Sequence, residues 1–156
     1  MSESRRLPVL LDRLQRPLRV LRISVTDRCN FRCSYCLPDG YQAQGTSRWL
    51  THEEIGRLLR GFAAVGLRKL RLTGGEPSLR TDLTDIIAAA AATPGIETVA
   101  MTTNGILLRR HIERWRGAGL NAVNVSVDSL DPVRFHAITG RDRGADILAG
   151  IDLALA

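Results

Sequence analysis

Lysine is nearly absent: of 22 basic residues, Lys69 is the one lysine and the remaining 22 − 1 = 21 are arginines. Aromatic residues make up 4% of the chain. They are too scattered for the interleaved basic and aromatic surface that single-stranded nucleic acid requires. Cations exceed anions by 22 − 16, a formal charge of +6. Because the arginines are spread along the whole chain, that excess reads mainly as a solvated surface, and nucleic acid is an unlikely partner. Long hydrophobic runs are missing as well. The longest, Ile86 to Ala92, falls far short of the ~20 residues that cross a bilayer, so no membrane is expected. No charged-then-apolar leader precedes a small-residue cleavage site, and a cytoplasmic location is expected. Cysteine is absent outside one short stretch holding Cys29, Cys33 and Cys36. An odd, clustered set argues against a disulfide framework and for metal or redox chemistry.

What is present is an ordinary globular composition: 156 residues, 44% hydrophobic, enough for one domain. Residues 1–16 show no clear period and read as a flexible lead-in, ahead of one core unit over 17–156. From Leu18 the pattern alternates. Strands are expected at Leu18–Thr26, Lys69–Thr73, Thr98–Thr102 and Ala122–Val127. Helices are expected over Thr51–Val65, Asp82–Ala92, Leu107–Gly117, from Asp131-Pro132, and around Ile147–Leu155. Thr51 and Glu54 have the spacing of a capping box, and Asp131-Pro132 that of an N-cap followed by proline at the first helical position. Such alternation predicts an α/β fold with parallel strands and right-handed crossovers.

Side-chain parity sharpens the class. Leu21, Ile23 and Val25 share one strand face, and Arg22, Ser24 and Thr26 the other. Leu70 and Leu72 oppose Lys69, Arg71 and Thr73. Val123, Val125 and Val127 oppose Asn124, Ser126 and Asp128. Strands covered by helices on both sides should be apolar nearly throughout, and burying these polar faces unpaired would be costly. A partial (β/α) barrel, about four strands with helices outside and a polar, ligand-filled lumen, avoids that cost. Arg22, Lys69 and Arg71 against Asp128 on the lumen face favour an anionic ligand.

The cysteine loop follows the first strand, where β/α barrels carry their active face. Three thiolates at C-x3-C-x2-C suit three irons of a 4Fe-4S cluster, leaving the fourth iron open to a ligand. Structural zinc wants four protein ligands, and the nearest histidine, His52, lies across a long loop. A pure electron-transfer cluster would normally have a fourth cysteine.

Cys29-x3-Cys33-x2-Cys36 resembles the signature of radical S-adenosylmethionine (SAM) enzymes. Further segments resemble one subfamily, the MoaA-type GTP 3′,8-cyclases of molybdenum-cofactor biosynthesis. They are Leu21–Cys33, Tyr35-Cys36-Leu37-Pro38, Arg71-Leu72-Thr73-Gly74-Gly75-Glu76-Pro77, Thr102-Thr103-Asn104-Gly105 and Asn124–Asp131. The resemblance implies that Cys29, Cys33 and Cys36 hold the 4Fe-4S cluster. It implies that Tyr35, Gly74, Gly75, Glu76 and Ser126 bind SAM, with the Glu76 carboxylate facing the SAM ammonium. Arg22, Arg71 and Thr102 would contact GTP, and Lys69, sharing the face of the two arginines, is expected to bind its triphosphate. The implied activity is a lyase that cleaves SAM reductively and converts GTP to (8S)-3′,8-cyclo-7,8-dihydroguanosine 5′-triphosphate. The implied partners are a reductant such as flavodoxin or ferredoxin and a downstream cyclic pyranopterin monophosphate synthase; a homodimer is compatible.

The resemblance covers about the front half of such an enzyme. The family's second cysteine trio and terminal Gly-Gly are not in this sequence, which is expected to be a fragment or shortened product that binds the first cluster poorly and is inactive alone. The alternatives are another radical SAM enzyme, or a non-catalytic iron–sulfur electron-transfer module.

Overall fold

The computed structural model describes residues 9–43 and 48–156. The first half of the expected lead-in, residues 1–8, lies outside the described residues. Four strands form one sheet in the order β1-β2-β3-β4: β1 Val20–Ser24, β2 Lys69–Thr73, β3 Thr98–Thr103 and β4 Ala122–Val125. All three pairings are parallel. The spatial order follows the chain order without reversal. A doubly wound sheet reverses at its switch point; this one runs onward as barrel strands do, giving the expected partial barrel.

Among the described residues five α-helices accompany the strands: α1 His52–Ala64, α2 Leu83–Ala91, α3 Leu108–Gly117, α4 Pro132–Thr139 and α5 Gly144–Leu155. The Thr51–Glu54 capping box forms in both directions, Glu54 N–H to Thr51 Oγ1 at 3.2 Å and Thr51 N–H to Glu54 Oε2 at 2.8 Å. Asp131 caps α4 by accepting from Arg134 N–H at 2.8 Å. Asp82 precedes α2 but makes no capping bond, because its carboxylate receives the Arg80 guanidinium at Nε and Nη2. That guanidinium holds the Asp82 carboxyl below the usual carboxylate range. Pro77–Leu79 forms a short 3-10 turn that the periodicity does not announce.

One sheet face carries the main core. Leu70, Leu72, Val99 and Met101 pack with Ile55 and Leu59 of α1, Ile86 and Ile87 of α2, and Ile112 and Trp115 of α3. Fully burying each such side chain stabilises the fold by about 1.5–3 kcal/mol. The opposite parity is more open: Arg22, Ser24 and Asn124 are exposed and Lys69, Arg71 and Thr102 half-buried, although Thr26 and Ala100 of that parity are buried. Strand bounds differ slightly from the sequence reading. β1 begins at Val20 because Leu18 N–H bonds back to Leu10 O at 2.9 Å. β4 stops at Val125, although Ser126 N–H still reaches Thr103 O at 2.9 Å. Residues 9–18 fold against the end of α1 through Leu10 N–H to Val65 O at 2.9 Å and close on themselves through an antiparallel bridge between Leu11 and Pro17.

A second, smaller apolar cluster contains Phe31, Phe135 and Ile147, with Cys29 and Cys33 packed against it. It joins the cysteine loop to α4 and α5, and the site depends on it.

Candidate functional site

The four segments singled out by sequence meet at the C-terminal ends of the strands. Cys29–Cys36 leaves β1, Gly74-Gly75-Glu76 leaves β2, Thr102 to Asn104 closes β3, and Ser126 to Asp128 leaves β4. All three cysteines are free thiols; Cys29 and Cys33 are half-buried and Cys36 is exposed. The loop is held from four sides. Phe31 sinks between its flanking cysteines to 3% exposure and meets Phe135 edge to face, with ring centroids 6.1 Å apart. Arg32 and Ser34 donate their backbone N–H groups to Thr139 O and Ile138 O at 3.0 and 2.9 Å. Arg141 Nε donates to Asn30 O at 2.7 Å, and Asn104 Nδ2 to Asn30 Oδ1 at 2.8 Å. Tyr35 Oη donates to the Asp128 carboxylate at 3.1 Å, tying the loop to the end of β4.

The thiols sense one another and nearby carboxylates. Burial pushes the Cys29 thiol up, with Glu76 and Cys36 adding to the rise against backbone donors at Phe31 and Asn30. Burial likewise raises Cys33, with Asp128, Cys29 and Cys36 contributing against a hydrogen bond from Tyr35. Tyr35 itself is raised, first by burial and then by its bond to Asp128. Among the described residues, no three His, Cys, Asp or Glu side chains gather as ligands of one metal ion. A cluster imposes a different demand, because each thiolate meets a separate iron. Three free thiols on one docked loop, close enough to perturb each other, fit that demand.

The Gly-Gly-Glu segment is packed against the root of this loop. A Cβ on Gly74, whose φ is +155°, would lie closer than 3.0 Å to Thr26 O, and one on Gly75 closer than 3.0 Å to the carbonyls of Arg28 and Asp27. Gly75 N–H bonds Thr26 O at 2.8 Å and Glu76 N–H bonds Arg28 O at 2.6 Å. The close approach that glycine permits here is to the chain's own backbone. Glu76, expected from the resemblance to face the SAM ammonium, is 1% exposed. It accepts from Ser78 N–H and Thr103 Oγ1 at Oε1 (3.0 and 2.6 Å) and from Asn104 N–H at Oε2 (2.7 Å).

On the open face, Arg22 and Arg71 are direct register partners on β1 and β2, on strands about 4.8 Å apart. Arg71 Nη1 donates to Thr102 Oγ1 at 3.2 Å. Lys69 is two residues back along β2, on the same face and paired in register with Val20 and Thr98. Three cations thus line the face below the cysteine loop, whereas Asp128 is engaged by Tyr35. Ser126 is exposed beside them on the β4 exit.

Sequence reasoning gave no role to Asn30, Arg80 or Arg141. Arg80 is the most heavily bonded: besides Asp82 it donates to Val25 O and Leu50 O at 3.0 and 2.8 Å, and its side chain is 7% exposed. Trp49 packs beneath the Arg28 guanidinium, 4.7 Å from the ring centroid. Its indole N–H reaches Asp27 Oδ1 at 3.0 Å. The pairings span 22 to 111 positions and leave no periodic trace. His52, His111 and His136 lie on helices α1, α3 and α4.

Comparison with known proteins agrees with this geometry. The model of the radical SAM superfamily matches residues 23–156. A GTP 3′,8-cyclase of Pectobacterium atrosepticum is 58% identical over 147 residues, covering 93% of this chain and 45% of that protein. One of Stenotrophomonas maltophilia is 59% identical over 147 residues, covering 94% and 45%. The chain therefore spans less than half the length of these curated relatives. Among solved structures, Streptococcus suis SuiB bound to the precursor peptide SuiA superposes with a TM-score of 0.68 at 19% identity, covering 83% of this chain and 29% of SuiB. BtrN in complex with AdoMet and 2-DOIA gives 0.57 at 17% identity, covering 76% and 46%. At such identities the likeness is one of fold.

Proposed function

The chain belongs to the radical SAM superfamily, and on that footing we propose that it is the cluster- and SAM-binding part of a GTP 3′,8-cyclase. One observation carries the reading: three free thiols on a docked loop stand at the C-terminal edge of the sheet, above a face lined by Arg22, Lys69 and Arg71. Cys29, Cys33 and Cys36 would hold the 4Fe-4S cluster. When bound, the cluster supplies the electron for reductive cleavage of SAM. The protein's own contribution is placement. The Phe31 anchor and the Asn30 and Arg141 bonds fix the loop. Ser126 and Tyr35 flank the space for SAM, and the Gly74-Gly75 backbone borders it. Arg22, Arg71 and Lys69 offer the triphosphate of GTP a converging set of donors, and Thr102 steadies the Arg71 guanidinium by accepting from it. A reductant such as flavodoxin or ferredoxin would deliver the electron, and a cyclic pyranopterin monophosphate synthase would consume the product. A cytoplasmic location suits a cluster of this kind; no helix among the described residues is long and apolar enough to cross a membrane.

Anaerobic reconstitution with iron and sulfide should load iron toward about four per chain, at less than full occupancy if the chain holds the cluster as weakly as expected. SAM with dithionite should then release 5′-deoxyadenosine. Replacing Cys29, Cys33 or Cys36 by alanine should abolish both. Iron loading that leaves SAM intact would favour a non-catalytic electron-transfer module; zinc bound in preference to iron would refute the cluster assignment. GTP affinity should respond to the open face. Hydrogen bonds to a charged group are worth about 1.5–3 kcal/mol, so Arg71→Ala should weaken GTP binding roughly 10- to 100-fold by calorimetry. Equal affinity in wild type and variant would remove Arg71 from the site.

A further inference from the structure

We propose that Glu76 is a positioning residue, whose buried carboxylate staples the ends of β2 and β3 to the root of the cysteine loop, rather than a side-chain ligand of SAM. Three observations converge. Glu76 is 1% exposed, and both carboxylate oxygens already accept hydrogen bonds from the chain. Its donors come from two separate segments: Ser78 N–H follows β2, and Thr103 Oγ1 and Asn104 N–H end β3. Asn104 in turn donates from its side chain to Asn30 Oδ1, next to Cys29, and Glu76 gives its own N–H to Arg28 O. Glu76 therefore touches the cysteine loop by two routes, one through its backbone and one through Asn104.

The chemistry is consistent with that role. An anionic carboxylate accepting several N–H and O–H donors in a dry site is a strong, directional joint. Removing any one donor leaves a buried oxygen under-satisfied. Thr103 is the informative partner. Thr103 is 2% exposed and its hydroxyl donates to Glu76 at 2.6 Å, so replacing it perturbs the joint without adding or removing an exposed group.

The test uses the full chain with Glu76→Gln, Thr103→Val and the double variant. In the metal-free protein, amide hydrogen exchange is read at Arg32 and Ser34, whose N–H groups report docking of the cysteine loop on Thr139 and Ile138. The expected result is about tenfold faster exchange there in each single variant, with the double variant no faster than the worse single, because both break one joint. After reconstitution, SAM affinity by equilibrium dialysis should fall by a similar factor in both single variants. Exchange within twofold of wild type in both variants overturns the proposal. So does SAM affinity lost in Glu76→Gln alone while Thr103→Val binds normally, the pattern of a direct ligand. Should Glu76→Gln fail to fold, the near-isosteric Thr103→Val decides alone by the exchange criterion. The SAM measurement rests on the proposed function; the exchange measurement needs neither cluster nor SAM, so the two readings can fail separately.

Discussion

Gly75→Ala should unfold the site before any ligand is added. The new methyl would lie closer than 3.0 Å to three backbone atoms, the carbonyl oxygens of Arg28 and Asp27 and the Arg28 carbonyl carbon. A flexible side chain could swing away; backbone cannot. Relief requires shifting either the Gly-Gly-Glu segment or the root of the cysteine loop, and the Glu76 N–H to Arg28 O bond joins the two. Overpacking of a well-packed region usually costs about 1–3 kcal/mol, and a clash between two backbone segments belongs at the upper end, about 3 kcal/mol. Urea unfolding of the metal-free chain measures it, and iron uptake should fall in parallel. If the glycine served only to let a ligand approach, Gly75→Ala would leave the ligand-free chain within about 0.5 kcal/mol of wild type, the range of neutral surface changes.

Phe31→Ala should cost about 3–5 kcal/mol, the usual range for emptying a buried aromatic site. Phe31 is 3% exposed and its partner Phe135 1%, and Ile147 of α5 completes the cluster. The variant keeps all three cysteines, so any loss of iron binding would trace to loop placement. Phe31→Leu, closer in volume, should lose less than about 1.5 kcal/mol and retain the cluster. A Phe31→Ala chain that unfolds like wild type and loads iron normally would show that the aromatic anchor does not hold the loop.

Much of this architecture was legible in the sequence because it is periodic. Alternation of strand and helix gave every strand and the first three α-helices to within about two residues and the presence of the last two, and Thr51 with Glu54 announced the start of α1. Parity did more, since Arg22 and Arg71 fell on the polar face before their register pairing was seen. The partial barrel follows for the same reason: one-sided strands cannot be sandwiched between helix layers. What stayed hidden is aperiodic. Nothing local marks Arg141 as the partner of Asn30, or Arg80 as the bridge from Asp82 to Val25 and Leu50. Glu76 shows the limit most clearly. Its type and place beside two glycines suggested a ligand-facing carboxylate, and only the folded chain reveals that β3 supplies two of its three donors.

The clamp on the cysteine loop also sets an order of assembly. Asn30 finds its partners 74 and 111 positions later, in Asn104 and Arg141, and Phe31 finds Phe135 and Ile147. A nascent chain therefore carries its three bare thiols through synthesis of all four strands and of α4 before the loop can dock. Iron delivered earlier would meet an untethered peptide, free to bind metal in the wrong geometry or to oxidise. The loop that bears the thiols is thus built from the late part of the chain as much as from its own sequence.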